Sequence, residues 1–519
     1  MKRKHHSAKD HPYVPRISAS TYPGTARSFP ARLLPGGKNR TKYSYDGLER
    51  QIAATDPRTG LSTTHFNSKG QVDYVEDATN SRTSYAYSPT TGQRIAITNA
   101  LGFVTRFEFD LFGQPVRTWG HATYPVQYEY NEQGRMIGMK TYRGGSGWSG
   151  TSWPGSPGTA DETEWKYEPA TGLLTNKVYA DGNGTAYSYT PDGQLAARIW
   201  ARGIITTYSY TNTTGDLTGI NYSDSTPDVS FTYLRLGQQG TVTDVQGTRT
   251  FNYDPRLQLS NEVLEATGLY GTNVLARLID SQGRNAGFEF QHNGSVVAET
   301  GYGYSGVGRF DSLTWSNAGM TTAGSVGYQY VSQSEILAGW IETNAGFITV
   351  REYEPHRDLL VTVSNRIGTN AVSVFGYEND PIGRRTKRYD AGTAFASSLT
   401  NAFQYNTRSE LTNAAMASLL YGYSYDNIGN REWSKTNGTE LTYLANQLNQ
   451  YTQIADGVTN NLTYDLDGNL LTDGKWTNTW DGENRLIGAT PLSVTNGSNK
   501  LAFRYDYMTL QDGLQVMKL

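Results

Sequence analysis

The pattern Tyr-x-Tyr-Asp-x-x-Gly recurs down almost the whole of this 519-residue chain. One copy is Tyr43-Ser44-Tyr45-Asp46; others are Phe107-Glu108-Phe109-Asp110 with Gly113, Tyr423-Ser424-Tyr425-Asp426 with Gly429, and Leu462-Thr463-Tyr464-Asp465 with Gly468. Counted on the second aromatic, Tyr45, Phe66, Tyr87, Phe109 and Tyr130 lie 21, 21, 22 and 21 residues apart. Tyr167, Tyr189, Tyr210, Tyr233 and Tyr253 resume the register in steps of 22, 21, 23 and 20. A period near twenty, sustained this far, specifies an array in which each unit buries its apolar face only against its neighbours.

Residues 83–110 show how one unit makes structure. Tyr85 and Tyr87 are two apart and project from one face of a strand, and Ile95 and Ile97 alternate in the same way on the next. Ser88-Pro89-Thr90-Thr91-Gly92 between them is a turn, in which Gly92 supplies the positive φ that strains other residues. Tyr128 with Tyr130, Tyr187 with Tyr189 and Tyr208 with Tyr210 repeat the aromatic pair. Each unit is therefore two short antiparallel strands. The fold class expected is all-β: one long antiparallel sheet of stacked hairpins, spiralling into a partial or complete hollow shell. Asp46, Asp110, Asn131, Asp254, Asn406, Asp426 and Asp465 follow the second aromatic and are expected to accept hydrogen bonds from amides two or three residues ahead. Tyrosine outnumbers phenylalanine 37 to 16. A ring that stacks along a thin sheet while its hydroxyl reaches water or a carbonyl accounts for that bias.

Composition excludes several function classes. Net charge is -3 and charged residues make up 18%, which gives no electrostatic footprint for nucleic acid or anionic membrane. The basic cluster Lys2-Arg3-Lys4-His5-His6 reads as a solvated tail. There is no cysteine, so stacked strands and aromatic packing must supply the stability. No apolar run reaches the roughly 20 residues that span a bilayer, and Met1 to Ser20 carries no apolar core of a signal peptide.

The units resemble the YD repeats of Rhs proteins, which also occur in the B and C shell components of bacterial Tc toxins, in wall-associated proteins and in teneurins. The best matches are Tyr377-Glu378-Asn379-Asp380-Pro381-Ile382-Gly383-Arg384-Arg385, Tyr425-Asp426-Asn427-Ile428-Gly429-Asn430-Arg431 and Trp480-Asp481-Gly482-Glu483-Asn484-Arg485-Leu486. The last is similar to a signature near the end of the Rhs repeat region. The resemblance implies a β-sheet wound into a hollow shell around a C-terminal polypeptide, often a toxin, and a secreted or cell-surface location. It divides the chain into a tail (1–41), an array (42–507) with an insertion loop (142–163) and degenerate repeats (254–345), and a non-repeat end (508–519). The family's closing segment, an Asp-Pro-x-Gly site for autoproteolysis, is not expected here, because the repeat breaks off after Tyr505, Asp506 and Tyr507. Asp380-Pro381-Ile382-Gly383 looks like that site but occupies an ordinary repeat turn.

The search for chemistry yields little. No nucleophile elbow, P-loop or zinc motif is present and the histidines are scattered. No cofactor and no metal are expected. His65 reads as a packing variant of an aromatic, and His356 as a polar contact in a turn. Trp148 and Trp153, on the Gly- and Ser-rich loop 142–163, are the candidates for contact with a glycan or a protein. Three readings stand: a non-enzymatic shell segment whose partner is a C-terminal cargo or a capping subunit; an adhesion module binding carbohydrate or protein through exposed aromatics; and an enzyme, which would need carboxylates or histidines converging in one pocket.

Overall fold

The computed structural model describes residues 40–266, 271–318, 323–332, 334–493 and 500–503. Tyr505 and the two ends of the chain, 1–39 and 504–519, lie outside the described residues, as does Tyr270. What is described is strand and turn throughout, and no helix is long and apolar enough to cross a membrane. One 37-stranded antiparallel sheet runs from Lys42–Tyr45 to Thr459–Asn461, and a five-stranded sheet follows from Thr463–Tyr464 to Leu501–Ala502. Each strand pairs with the next in the chain, so the large sheet is one continuous meander.

The hairpin explains the motif. In the unit at Tyr45, Glu49 donates its amide to the Asp46 carbonyl at 3.0 Å and Asp46 donates to the Arg50 carbonyl at 3.0 Å. The register slips by one residue at Tyr45, and it does so at the second aromatic of unit after unit. This is a tight turn followed by a left-handed residue and a bulge. The left-handed place is where the motif carries glycine, with φ of 72° at Gly92 and 87° at Gly383. The Asp46 carboxylate accepts from the amides of Leu48 (2.9 Å) and Arg50 (3.0 Å). Asp110, Asn131, Asp426 and Asp465 do the same. The acceptor therefore serves the amide two residues ahead, within the expected two or three, and also the one four ahead, because the loop curls back over the aspartate before entering the bulge.

Two further bonds knit unit to unit. The second tyrosine donates its hydroxyl to a carbonyl at the start of the preceding return strand: Tyr87 to Val72 (2.8 Å), Tyr189 to Leu174 (2.8 Å), Tyr210 to Leu195 (2.8 Å) and Tyr425 to Leu411 (3.0 Å). The residue four after the aspartate reaches the next turn, as Gln114 does to the Gly134 carbonyl (3.0 Å) and Arg384 to the Asn406 carbonyl (2.9 Å). Arg384 also lies over the ring of Tyr405, 5.0 Å from its centroid.

The stretch around 254–345 keeps this plan with altered parts. Its strands lengthen to eight residues in Thr272–Ile279 and Asn285–His292, and to ten in Ser295–Tyr304. Ile279 takes the place of the second aromatic, ahead of the Asp280 turn, whereas Phe290 lies inside a strand. Among the described residues only eleven apolar side chains besides Pro125 are buried, five of them in one cluster: Ile220, Val229, Phe231, Val242 and Phe251. A sheet of this size with so few buried side chains is a single layer, not two layers packed on each other.

Candidate functional site

The sheet has two rows of turns, one along each long edge. The Asp row holds the motif turns; the return row holds the connections from one unit to the next. The ribbon comes back onto itself, and the return row of its first pass meets the Asp row of its second. Contacts between residues more than 250 apart line this seam.

At the start of the seam, Arg58 pairs with Asp358, and the Thr59 carbonyl lies 3.1 Å from His356 Nδ1. Tyr124 Oη donates to Glu410 Oε1 at 3.0 Å; burial first, and then the Glu410 charge, push its phenol up to about 12. Arg143 Nη1 donates to the Ala445 carbonyl (2.7 Å), and Asn427 Nδ2 to that of Gly144 (2.8 Å). Farther along, Arg198 Nη2 holds both carboxylate oxygens of Glu483, at 2.6 and 2.8 Å. Arg202 pairs with Asp467, whose side chain is 1% exposed, and donates to the Asp481 carbonyl (2.8 Å) and Asn484 Oδ1 (2.7 Å). Gly482 donates its amide to Thr226 Oγ1 at 2.6 Å.

Four residues of the Trp480–Leu486 segment thus meet the first pass: Asp481 through its carbonyl, and Gly482, Glu483 and Asn484. A side chain at 482 would stand 3.0 Å from Thr226 Oγ1 and 3.1 Å from Asp224 Oδ1. Glycine there serves close approach, with its neighbours Asp481 and Trp480 locked from behind. Asp481 accepts from Glu483, Arg485 and the Arg485 side chain (2.9, 3.0 and 2.7 Å), and Trp480 Nε1 donates to the Leu470 carbonyl at 2.9 Å.

The structure does not leave Trp148 and Trp153 exposed on their loop. Trp148 is buried with Trp119 and Tyr142, and Trp153 packs against all three, its ring centroid 5.1 Å from that of Trp148 and 5.7 Å from that of Trp119. Trp119 Nε1 and Arg106 Nε both donate to the Gly150 carbonyl, which pins the loop to the sheet. Arg143, braced by Asp161 at 2.6 Å, then carries the loop to the second pass. The loop is a strut across the seam, and the Gly-Ser composition that suggested an exposed contact reflects tight turns between buried rings.

The other predicted residues hold the hairpins. Tyr43 and Tyr45 are exposed at the first strand; Tyr85 lies under Arg94, Tyr377 under Arg385 and Tyr423 under Arg431. Tyr128 and Tyr187 have phenols raised by burial, and Tyr208 packs on the Phe231 cluster. Asp380 is engaged by the amides of Ile382 and Arg384 and by Arg384 Nε (2.6 Å), as in any motif turn, and Gly383 supplies its left-handed residue. Gly429 and Gly468 do likewise in their turns. His65 stacks on Tyr74 at 4.2 Å, and His356 is a seam contact. Among the described residues no group of His, Asp and Glu is placed to hold a metal. Sequence reading missed Arg58, Arg143, Arg198 and Arg202. Their only signal is arginine in return turns or, for Arg198, in the strand leading to one, with partners more than 250 residues away.

A long antiparallel YD-type ribbon that meets itself along a seam is the architecture this chain defines. The same fold is found in crystal structures of TcdB2–TccC3 (TM-score 0.55, 14% identity, 90% of this chain and 29% of that one). It recurs in TcdB2–TccC3 without its hypervariable C-terminal region (0.56, 14%, 89% and 29%) and in the Photorhabdus luminescens Tc holotoxin pore (0.55, 14%, 90% and 29%). Two curated relatives, the tRNA nuclease WapA of Bacillus subtilis and the tRNA3(Ser)-specific nuclease WapA of Bacillus spizizenii, are each 37% identical over 89 residues, 16% of this chain and 4% of theirs. The chain thus spans under a third of the structures and a small fraction of the curated relatives it matches. No family model matches it.

Proposed function

We infer that this chain is a non-enzymatic wall segment of a hollow shell that encloses or presents a polypeptide, in a secreted or cell-surface protein. The observation that carries the reading is the seam. From Arg58 to its partner Asp358 the ribbon passes through 25 strands, Gly60–Phe66 to Phe347–Tyr353. At about 4.8 Å per strand, one revolution measures at least about 120 Å around. Barrels of about eight strands fill themselves with side chains, and those of 16–18 already leave a channel. A revolution of this girth, one layer thick, leaves space that its own side chains do not fill. The likeness to TcdB2–TccC3, one structure of which omits a hypervariable C-terminal region, supports a wall that is distinct from what it holds. The nuclease named in the WapA relatives would then reside outside the shared 89 residues. The adhesion reading loses its main support with Trp148 buried.

The test is protection of a guest. An unfolded, trypsin-sensitive segment is fused after the last repeat and digested alongside the same segment on an unrelated carrier. Survival in the fusion for many carrier half-lives is expected. Cleavage at the carrier rate would overturn enclosure.

A further inference from the structure

The seam shows that this ribbon carries both halves of one interface: an Asp row and a return row that mate. Only part of each row is used, because the Asp row of the first pass and the return row of the second continue beyond it. Asn427, Asp467, Gly482 and Glu483, one or two places after the motif aspartate or its equivalent, make part of the contacts in the mated stretch, beside Asp358 and Glu410 four places after theirs. At four turns of the first pass the same places carry apolar side chains turned to water, whereas at others, such as Ser68-Lys69 and Glu132-Gln133, they are polar. Leu111 is fully exposed and Phe112 is 87% exposed, and Leu48, Leu236 and Val307 stand out similarly. Beside the return row of the second pass, Leu420, the second residue of the strand Leu419–Tyr425, is 62% exposed, and Val458, in its return turn, is 70% exposed. Adjacent exposed apolar side chains at docking positions mark an interaction surface.

We propose that a second copy of this chain docks there, the return row of its second pass seated on the Asp row of its neighbour's first pass. The argument is continuity: the surface extends an interface that these same two edges already form within one chain, and both unfilled edges present apolar tips. The contact is head-to-tail and heterologous, so copies add in one direction. It is formed by turn rows and does not use the backbone edge of the strand Lys42–Tyr45. It is independent of whether the shell encloses anything.

Analytical ultracentrifugation of the full chain across a hundredfold range of concentration reads the result. The 57.3 kDa chain is expected to shift to multiples of its mass as concentration rises. Leu111→Glu with Phe112→Glu spoils one edge, and Leu420→Glu with Val458→Glu the other. All four side chains are exposed and lie outside the mated contacts, so each variant is expected to keep the wild-type circular dichroism and to remain a monomer. Mixed, the two variants still have one intact edge each and are expected to form a one-to-one dimer. A wild-type chain that is monomeric throughout would overturn the proposal. So would association that survives both variants, or variants that fail to complement, since pairing would then be symmetric or lie elsewhere.

Discussion

At the scale of the residue, each motif position answers one requirement of the hairpin. The aspartate satisfies two amides of a turn too tight to satisfy them itself, the tyrosine hydroxyl satisfies a carbonyl of the preceding unit, and the glycine takes a backbone conformation that side chains resist. Leu257 breaks the last rule, with φ of 64° in the turn begun by Asp254. Leu257→Gly is expected to stabilise this turn by roughly 0.5–1 kcal/mol, since a left-handed L-residue costs about 1–2 kcal/mol and glycine's greater freedom when unfolded offsets part of the gain. Slower hydrogen exchange of the amides at 257 and 258 would show it; unchanged or faster exchange would count against it. The aspartate's role was legible because it recurs in unit after unit, and recurrence argues for structure over catalysis. Its second amide was not, because the bulge that brings residue 50 back over Asp46 has no composition of its own. The glycine-rich loop lies between the strands Met136–Thr141 and Asp161–Tyr167. The fate of its tryptophans depended on Trp119, which nothing local in the sequence links to them.

At the scale of the element, the hairpins were readable and the seam was not. A meander pairs each strand with its neighbour, so spacing alone reveals the ladder. Where the ladder returns upon itself depends on small twists summed over 25 strands. Arg202 is the test of that contact. Its removal leaves Asp467 almost wholly buried without its cation, which typically costs about 3–5 kcal/mol. Arg202→Ala is expected to raise hydrogen exchange together at 200–204 and 465–485 while leaving the turns near Tyr87 unchanged, with Arg202→Lys intermediate. An increase confined to 200–204 would show that the two passes are held by other contacts.

At the scale of the whole molecule, the tyrosine hydroxyls form a distributed alkaline limit. Burial raises the phenols of Tyr87, Tyr130, Tyr167, Tyr189, Tyr210, Tyr253, Tyr405, Tyr425 and Tyr464 above their ordinary value. A proton held more tightly in the folded state stabilises the fold fully below the unfolded value of about 10, and that contribution is lost as pH rises through the folded values. The sheet signal in circular dichroism is therefore expected to collapse above pH 10 in step with tyrosinate absorbance. Ordinary titration of most tyrosines near pH 10 with the sheet intact would contradict the coupling.

The mating of one pass with the next also constrains how such a chain can change length. The two passes engage tooth by tooth, like a screw thread, with Arg58 set against Asp358 and Arg202 against Asp467. Deleting or duplicating one unit between those teeth would not be a local event. It would shift each later tooth against its groove, so a viable change in repeat number must fall outside the engaged span or be matched by rewritten turns along it.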